Sequence, residues 1–168
     1  MTDLADVRPK HAELVSICRT VRDRFGEKAV EDLARRHREN IVAAYAEKAA
    51  RLGRNDLEAF VSQMGENPQT HTRQVIRREK NVYEMKITRC AHAEILKELN
   101  ALDLGLRFVC AGDDAMLQGF NPRIRLQRPQ LLMKGDDCCH FIYTMEECPG
   151  HSMAEWCSRH GSGDAVGF

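Results

Sequence analysis

The chain lacks the features that would direct it to a membrane or to nucleic acid. No apolar run of about 18 residues occurs anywhere in its length, so no helix is predicted to span a bilayer. A charged-then-apolar leader is missing as well. The N-terminus opens on Asp3 and Asp6, which predicts a cytoplasmic protein. Charge of one sign is also lacking, with 25 basic residues against 25 acidic. No net field therefore steers the chain to nucleic acid or an anionic lipid surface. The one dense basic run, Arg35-Arg36-His37-Arg38, has acidic neighbours and is predicted to be a solvated helix face. There is no phosphate-binding glycine loop, because Gly112 and Gly119 stand too far apart for a dinucleotide fingerprint. Internal repeats and low-complexity tracts are absent from the sequence.

What the chain does have is cysteine, seven in 168 residues. The length suits one domain that folds without a covalent staple. An odd number of cysteines in a cytoplasmic protein points to thiols, ligands or catalysts rather than to a disulfide framework. Cys18 is the exception, since it falls among Leu14, Ile17 and Val21 at helical spacing and is predicted to be a core residue.

The expected fold class is α+β, with N-terminal helices packed on a small antiparallel sheet in a single domain. Three segments are expected: a helical part over 1–66, an α+β core over 67–147 carrying the Cys, Asp and His motifs, and a Cys/His-containing tail over 148–168. Pro9 suits a first helical turn. A second helix is predicted from Glu27 to Leu52, closed by Gly53. Asn55 is expected to cap a short third helix carrying Leu57, Phe60, Val61 and Met64. Thr70 to Arg78 and Val82 to Arg89 alternate around the turn Glu79-Lys80-Asn81 and predict a hairpin. A helix from Ala91 to Leu102 follows, then a short apolar strand over Leu106 to Cys110. A short helix is expected before Asn121-Pro122. Two more strands, Arg123 to Met133 and Cys139 to Met145, are expected around Lys134-Gly135-Asp136-Asp137. Pro129 places the first of these at an edge or a bulge.

Three cysteines fall at the ends of predicted elements, where loops gather functional groups onto a scaffold. Cys90 ends a strand and opens a helix, Cys110 precedes Ala111-Gly112-Asp113, and Cys139 opens a strand beside His140. A thiol at a helix N-terminus is expected to ionise more readily. With Asp113 as a carboxylate and His140 as a group titrating near neutrality, the set could attack an electrophilic carbon and protonate a leaving group. The competing view is scattered core cysteines with surface aspartates. Arg123 and Arg125 alternate onto one strand face near Arg128 and could clamp a carboxylate, or simply be solvated. A second constellation, Cys148, His151, Cys157 and His160, forms two Cys-x-x-His pairs with donors that suit tetrahedral zinc. Its alternative is a helix over 153–159 with Trp156 packed on the domain and the thiols incidental.

Several of these pieces occur together and in order. Arg89-Cys90 closes a strand, Cys110-Ala111-Gly112-Asp113 follows, then Phe120-Asn121-Pro122, and then Gly135-Asp136-Asp137-Cys138-Cys139-His140-Phe141. Over roughly 81–143 the chain resembles the L-2-amino-thiazoline-4-carboxylic acid hydrolase family. The resemblance implies hydrolytic opening of a small carboxylate-bearing cyclic amidine or amide, by cleavage of a C–N or C–S bond. It places the family's cysteines on Cys90, Cys110 and Cys139 and its aspartate on Asp113, with Asn121 and Gly135 at turns. Arg89 or Arg125, with Asn121, would bind the substrate. No cofactor is favoured; the alternatives are zinc on Cys139 and His140 or on the C-terminal set, and a water-activating metal held by Cys110, Asp113 and His140. The competing function is a zinc-binding or thiol-redox module without turnover. The expected partner is a small molecule, without nucleic acid or membrane, and a homo-oligomer is compatible with the sequence.

Overall fold

Glycine punctuates the helical N-terminus. The computed structural model describes residues 4–64 and 69–146. Helices α1 (Leu4–Phe25) and α2 (Glu27–Leu52) are separated by Gly26 alone, whose φ of 81° is left-handed and costs a glycine little. Gly53 closes α2 in the αL conformation, its N–H donating to the Ala50 carbonyl, as the sequence predicted. Helix α3 (Leu57–Ser62) is shorter than expected, and its cap is not Asn55. Asp56 takes that role, its carboxylate accepting from the Ala59 N–H at 2.8 Å. The Asn55 carbonyl is used elsewhere, as the acceptor for Asn121.

The hairpin consists of β1 (His71–Glu79) and β2 (Val82–Cys90). Helix α4 (Ala91–Glu98) starts directly from Cys90 and ends earlier than the predicted Leu102. Asn100 takes a positive φ of 49°, a region asparagine tolerates, and the chain restarts as α5 (Leu102–Gly105). The predicted strand over Leu106 to Cys110 does not form. These residues make a π turn that continues helically into α6 (Ala111–Phe120). A short apolar run reads equally well as a strand or as a buried helical segment. Here burial of Leu104 and Phe108 against α1 and α2 selects the helix.

Strands β3 (Ile124–Gln130) and β4 (Cys139–Met145) complete a four-stranded antiparallel sheet in the order β1-β2-β4-β3. Pro129 does lie on an edge strand, beside a register shift between Gln127 and Gln130. Strand alternation turns Tyr83, Met85 and Ile87 of β2 inward, with Cys139, Phe141 and Tyr143 of β4 beside them. One core lies between this face and α3 and α6, where the Phe60 and Phe120 rings sit 5.4 Å apart. A second lies among α1, α2, α4 and the 101–110 stretch and includes the fully buried Cys18. Helices on one face of an antiparallel sheet make the fold α+β. Among the described residues no helix is long and apolar enough to cross a membrane.

Close packing fixes where α6 lies. A Cβ added at Gly119 would stand 2.1 Å from the Val42 carbonyl oxygen. Only glycine lets α6 approach the α2 backbone this closely, and that approach holds the C-terminal end of α6 against α2.

Candidate active site

The inward face of the sheet and the start of α6 line an open cavity of about 540 Å³. Cys90, Cys110, Asp113 and Cys139 all line it. Each arrives by a different route. Cys90 is the last residue of β2 and the N-cap of α4. Cys139 opens β4 and pairs in register with Ile87. Cys110 ends the π turn, and Asp113 lies three residues further along the same helical run, so the two are neighbours on one helix face.

The electrostatics differ from the expected thiolates. Burial pushes the Cys110 thiol up to about 12, with the Asp113 charge adding to the shift. Burial likewise raises Cys139 to about 11, against a hydrogen bond that its sulfur accepts from the Leu132 N–H at 3.3 Å. For Cys90 the N–H groups of Ala93 and His92 favour the thiolate, but burial outweighs them and the net shift is upward. Cys110 also lacks the helix N-terminus assumed for it. Its φ of −66° and ψ of −35° are helical, so it sits inside a continuous helical run. All three resting groups are therefore neutral thiols at pH 7.

Asp113 is the group poised near neutrality. Burial raises its carboxyl to about 7, with Arg128 pulling it down and Asp114 adding a smaller upward push. Its side chain keeps 30% of its surface exposed, and the surrounding pocket wall desolvates it. Arg128 comes from β3, with Nη1 3.4 Å from Asp113 Oδ2. The same guanidinium donates to the Cys110 carbonyl and to Asp114. Arg128 thus ties the π turn, Asp113 and the sheet together. The sequence singled it out only as one of three nearby arginines.

His140 is not part of the site. Strand alternation sends it to the sheet face opposite Cys139 and Phe141, where its Nε2 lies 2.7 Å from Glu84 Oε1. The structure therefore does not bring His140 together with Cys110 and Asp113, as a mixed metal set would need. The predicted substrate-binding residues are also elsewhere. Arg89 pairs with Glu94 at 2.9 Å and donates to the Gln69 carbonyl. Arg125 is 64% exposed and faces Glu146. Asn121 is buried and structural, its Nδ2 donating to the Asn55 carbonyl and its Oδ1 accepting from the Arg123 N–H. Cys148, His151, Cys157 and His160 lie outside the described residues. Among the described residues, no group of three or more His, Cys, Asp or Glu side chains is arranged to hold a metal ion.

The pocket holds a different histidine and a different arginine, His71 and Arg73, both from β1. His71 Nδ1 lies 2.9 Å from Thr70 Oγ1. Its ring stands 5.3 Å from that of His92, whose Nδ1 lies 2.8 Å from His11 Nε2. Burial lowers His71 and His11 to about 4, each also repelled by His92, and burial lowers His92 too. The three imidazoles are thus neutral at pH 7. A signal for His71 was present in the sequence. A hairpin closed at Lys80-Asn81 places His71 opposite Cys90, as the observed register does.

A family model described as L-2-amino-thiazoline-4-carboxylic acid hydrolase matches residues 8–143. That is well over half of the chain. The protein belongs to this family. Its name is that of a hydrolase acting on a small molecule, and the matched span contains every described residue that lines the cavity. No curated protein matches the chain.

Proposed function

We propose that the cavity opens a small carboxylate-bearing cyclic amidine or amide by hydrolysis, with Asp113 as the proton-transferring group and Cys110 as the nucleophile. The observation that carries this reading is the pairing of a neutral thiol with a carboxyl of pKa about 7, one helical turn apart in one cavity. A buried thiol is a poor nucleophile until a base removes its proton. Asp113, ionised near pH 7, accepts that proton as Cys110 Sγ bonds to the sp² ring carbon. The ring C–N or C–S bond then breaks, and the proton passes from Asp113 to the departing nitrogen or sulfur. Water next adds to the same carbon, Cys110 leaves with its proton restored, and the net change is addition of one water. Asp113 could instead activate that water directly. Arg73, at the cavity wall, is the residue we assign to the substrate carboxylate.

The test uses 2-amino-thiazoline-4-carboxylate as probe. Cleavage of the C–S bond releases a thiol and cleavage of the C–N bond an amine, so two colorimetric reagents distinguish them. Turnover that drops at least about a hundredfold in Cys110→Ala supports the covalent route. Full activity in Cys110→Ala removes the thiol from the nucleophile's role and leaves the direct attack of water. No ring opening by the wild-type chain would argue against the proposed substrate class.

A further inference from the structure

The cavity is much larger than a five-membered ring with one carboxylate requires, and its two ends differ in chemistry. Cys90, Cys139, Cys110 and Asp113 gather where β2 ends, β4 begins and the π turn meets α6. Away from that end the inward positions of β4 continue as Phe141 and Tyr143, with Met85 of β2 in register with Phe141. The four steps from Cys139 to Tyr143 span about 13 Å. On the opposite wall, Met116 lies three residues beyond Asp113 on α6, and Phe60 and Met64 approach from α3 and its C-terminal end. At about 30 Å³ for each water-sized group, the 540 Å³ cavity holds about 18 such groups. That is about twice the nine non-hydrogen atoms of 2-amino-thiazoline-4-carboxylate, and the lining away from the cysteines is mostly methionine and aromatic side chains, with Gln63, Thr72 and Arg73 among them. Methionine adapts its shape to apolar ligands of varied outline, and burial of apolar surface there would contribute affinity in proportion to area.

We infer that the natural substrate carries an apolar substituent, an aryl or branched alkyl group, that packs on Met64, Met116 and Phe141 of the cavity while the reacting ring lies against Cys110 and Asp113. The orientation of the ring rests on the proposed function above. The apolar subsite itself does not.

The experiment compares 2-amino-thiazoline-4-carboxylate with its 5-phenyl derivative on the full chain. Binding is followed by saturation-transfer NMR and ring opening by thiol or amine release. The phenyl probe is expected to show at least a tenfold higher kcat/KM. That ratio should shrink in Met116→Gln and in Met64→Gln, each checked for an unchanged circular dichroism spectrum. Equal or poorer use of the phenyl probe overturns the inference. Should neither probe be opened, binding of the phenyl probe alone, weakened by either variant, upholds the apolar subsite while the hydrolase proposal falls. Binding of neither probe overturns the subsite.

Discussion

Arg128 Nη1 stands 3.4 Å from Asp113 Oδ2, close enough to pull the carboxyl down yet unable to cancel the effect of its burial. The result is a carboxyl near 7 in a cavity where the thiols stay protonated. In the proposed reaction, proton transfer therefore falls to Asp113.

Asp113→Asn should lower turnover by about a hundred- to ten-thousandfold, the range for loss of a general acid–base group. Wild-type kcat/KM should rise with pH through about 7 as Asp113 ionises, and that limb should be missing in the residual activity of the variant. The effect on stability has the opposite sign. A carboxyl whose folded pKa is raised stabilises the fold below its unfolded value and loses that contribution as pH climbs through about 7. Asp113→Asn should thus be more stable than the wild type at pH 8, by about 4 kcal/mol at most, seen as a higher Tm, and should differ little near pH 3. A variant that retains both full activity and the wild-type pH profile would show that the proton goes elsewhere.

Iodoacetamide should modify Cys110 and Cys139 slowly at pH 7. With pKa values of about 12 and 11, the thiolate fractions are about 10⁻⁵ and 10⁻⁴. Peptide mass spectrometry over a pH series should show adducts rising steeply above pH 9. Rapid labelling at pH 7 would mean that the site stabilises thiolates by some route other than those described.

His140 and Arg73 should separate cleanly. His140→Gln should leave kcat and KM within about twofold and cost about 1 kcal/mol at most, the scale of a partly exposed pair, because its partner is Glu84 on the outer face of the sheet. Arg73→Gln should raise KM for a carboxylate substrate at least about tenfold with a smaller change in kcat, the pattern of lost ground-state binding. Steady-state kinetics on both variants checks this. A large kcat defect in His140→Gln would restore that residue to the mechanism.

Gly119→Ala should be among the most damaging single-methyl additions in the protein. The new Cβ would meet backbone rather than a flexible side chain, at 2.1 Å from the Val42 oxygen. Overpacking of this kind typically costs about 1–3 kcal/mol or more. Urea denaturation should show a lower midpoint, and retained stability would mean that α6 can slide away from α2 at little cost.

Much of the architecture was legible in the chain. Period-two alternation over 82–89 marked one central strand, the segment 139–145 was expected as another strand, and Pro129 marked the edge. The glycines at 26 and 53 bounded α2. Cys90, Cys110, Asp113 and Cys139 were picked out singly, by their places at element ends and by likeness to a family, and they do meet in one cavity. The structure does not bring His140 to the cysteines, for a reason the same alternation contains. Two adjacent strand residues face opposite ways, so His140 could not share a pocket with Cys139. The role of Arg128 was not legible because its partners are distant in sequence. Arg128 reaches back 18 residues to the Cys110 carbonyl, a contact that only the folded sheet creates. The thiol pKa shifts were misjudged because helix position was weighed and burial was not.

The π turn at Leu106–Cys110 is braced from both sides, by His37 of α2 donating to the Phe108 carbonyl at 3.1 Å and by Arg128 of β3 at the Cys110 carbonyl. A widened turn holds one residue more than an ordinary helix would, so it acts as a spacer that sets the rotational phase of everything after it. Removing a single residue there would turn Asp113 and Met116 by about 100° around the helix axis. The chain could keep its composition, its core and nearly all of its secondary structure and still point its carboxyl away from its sulfurs.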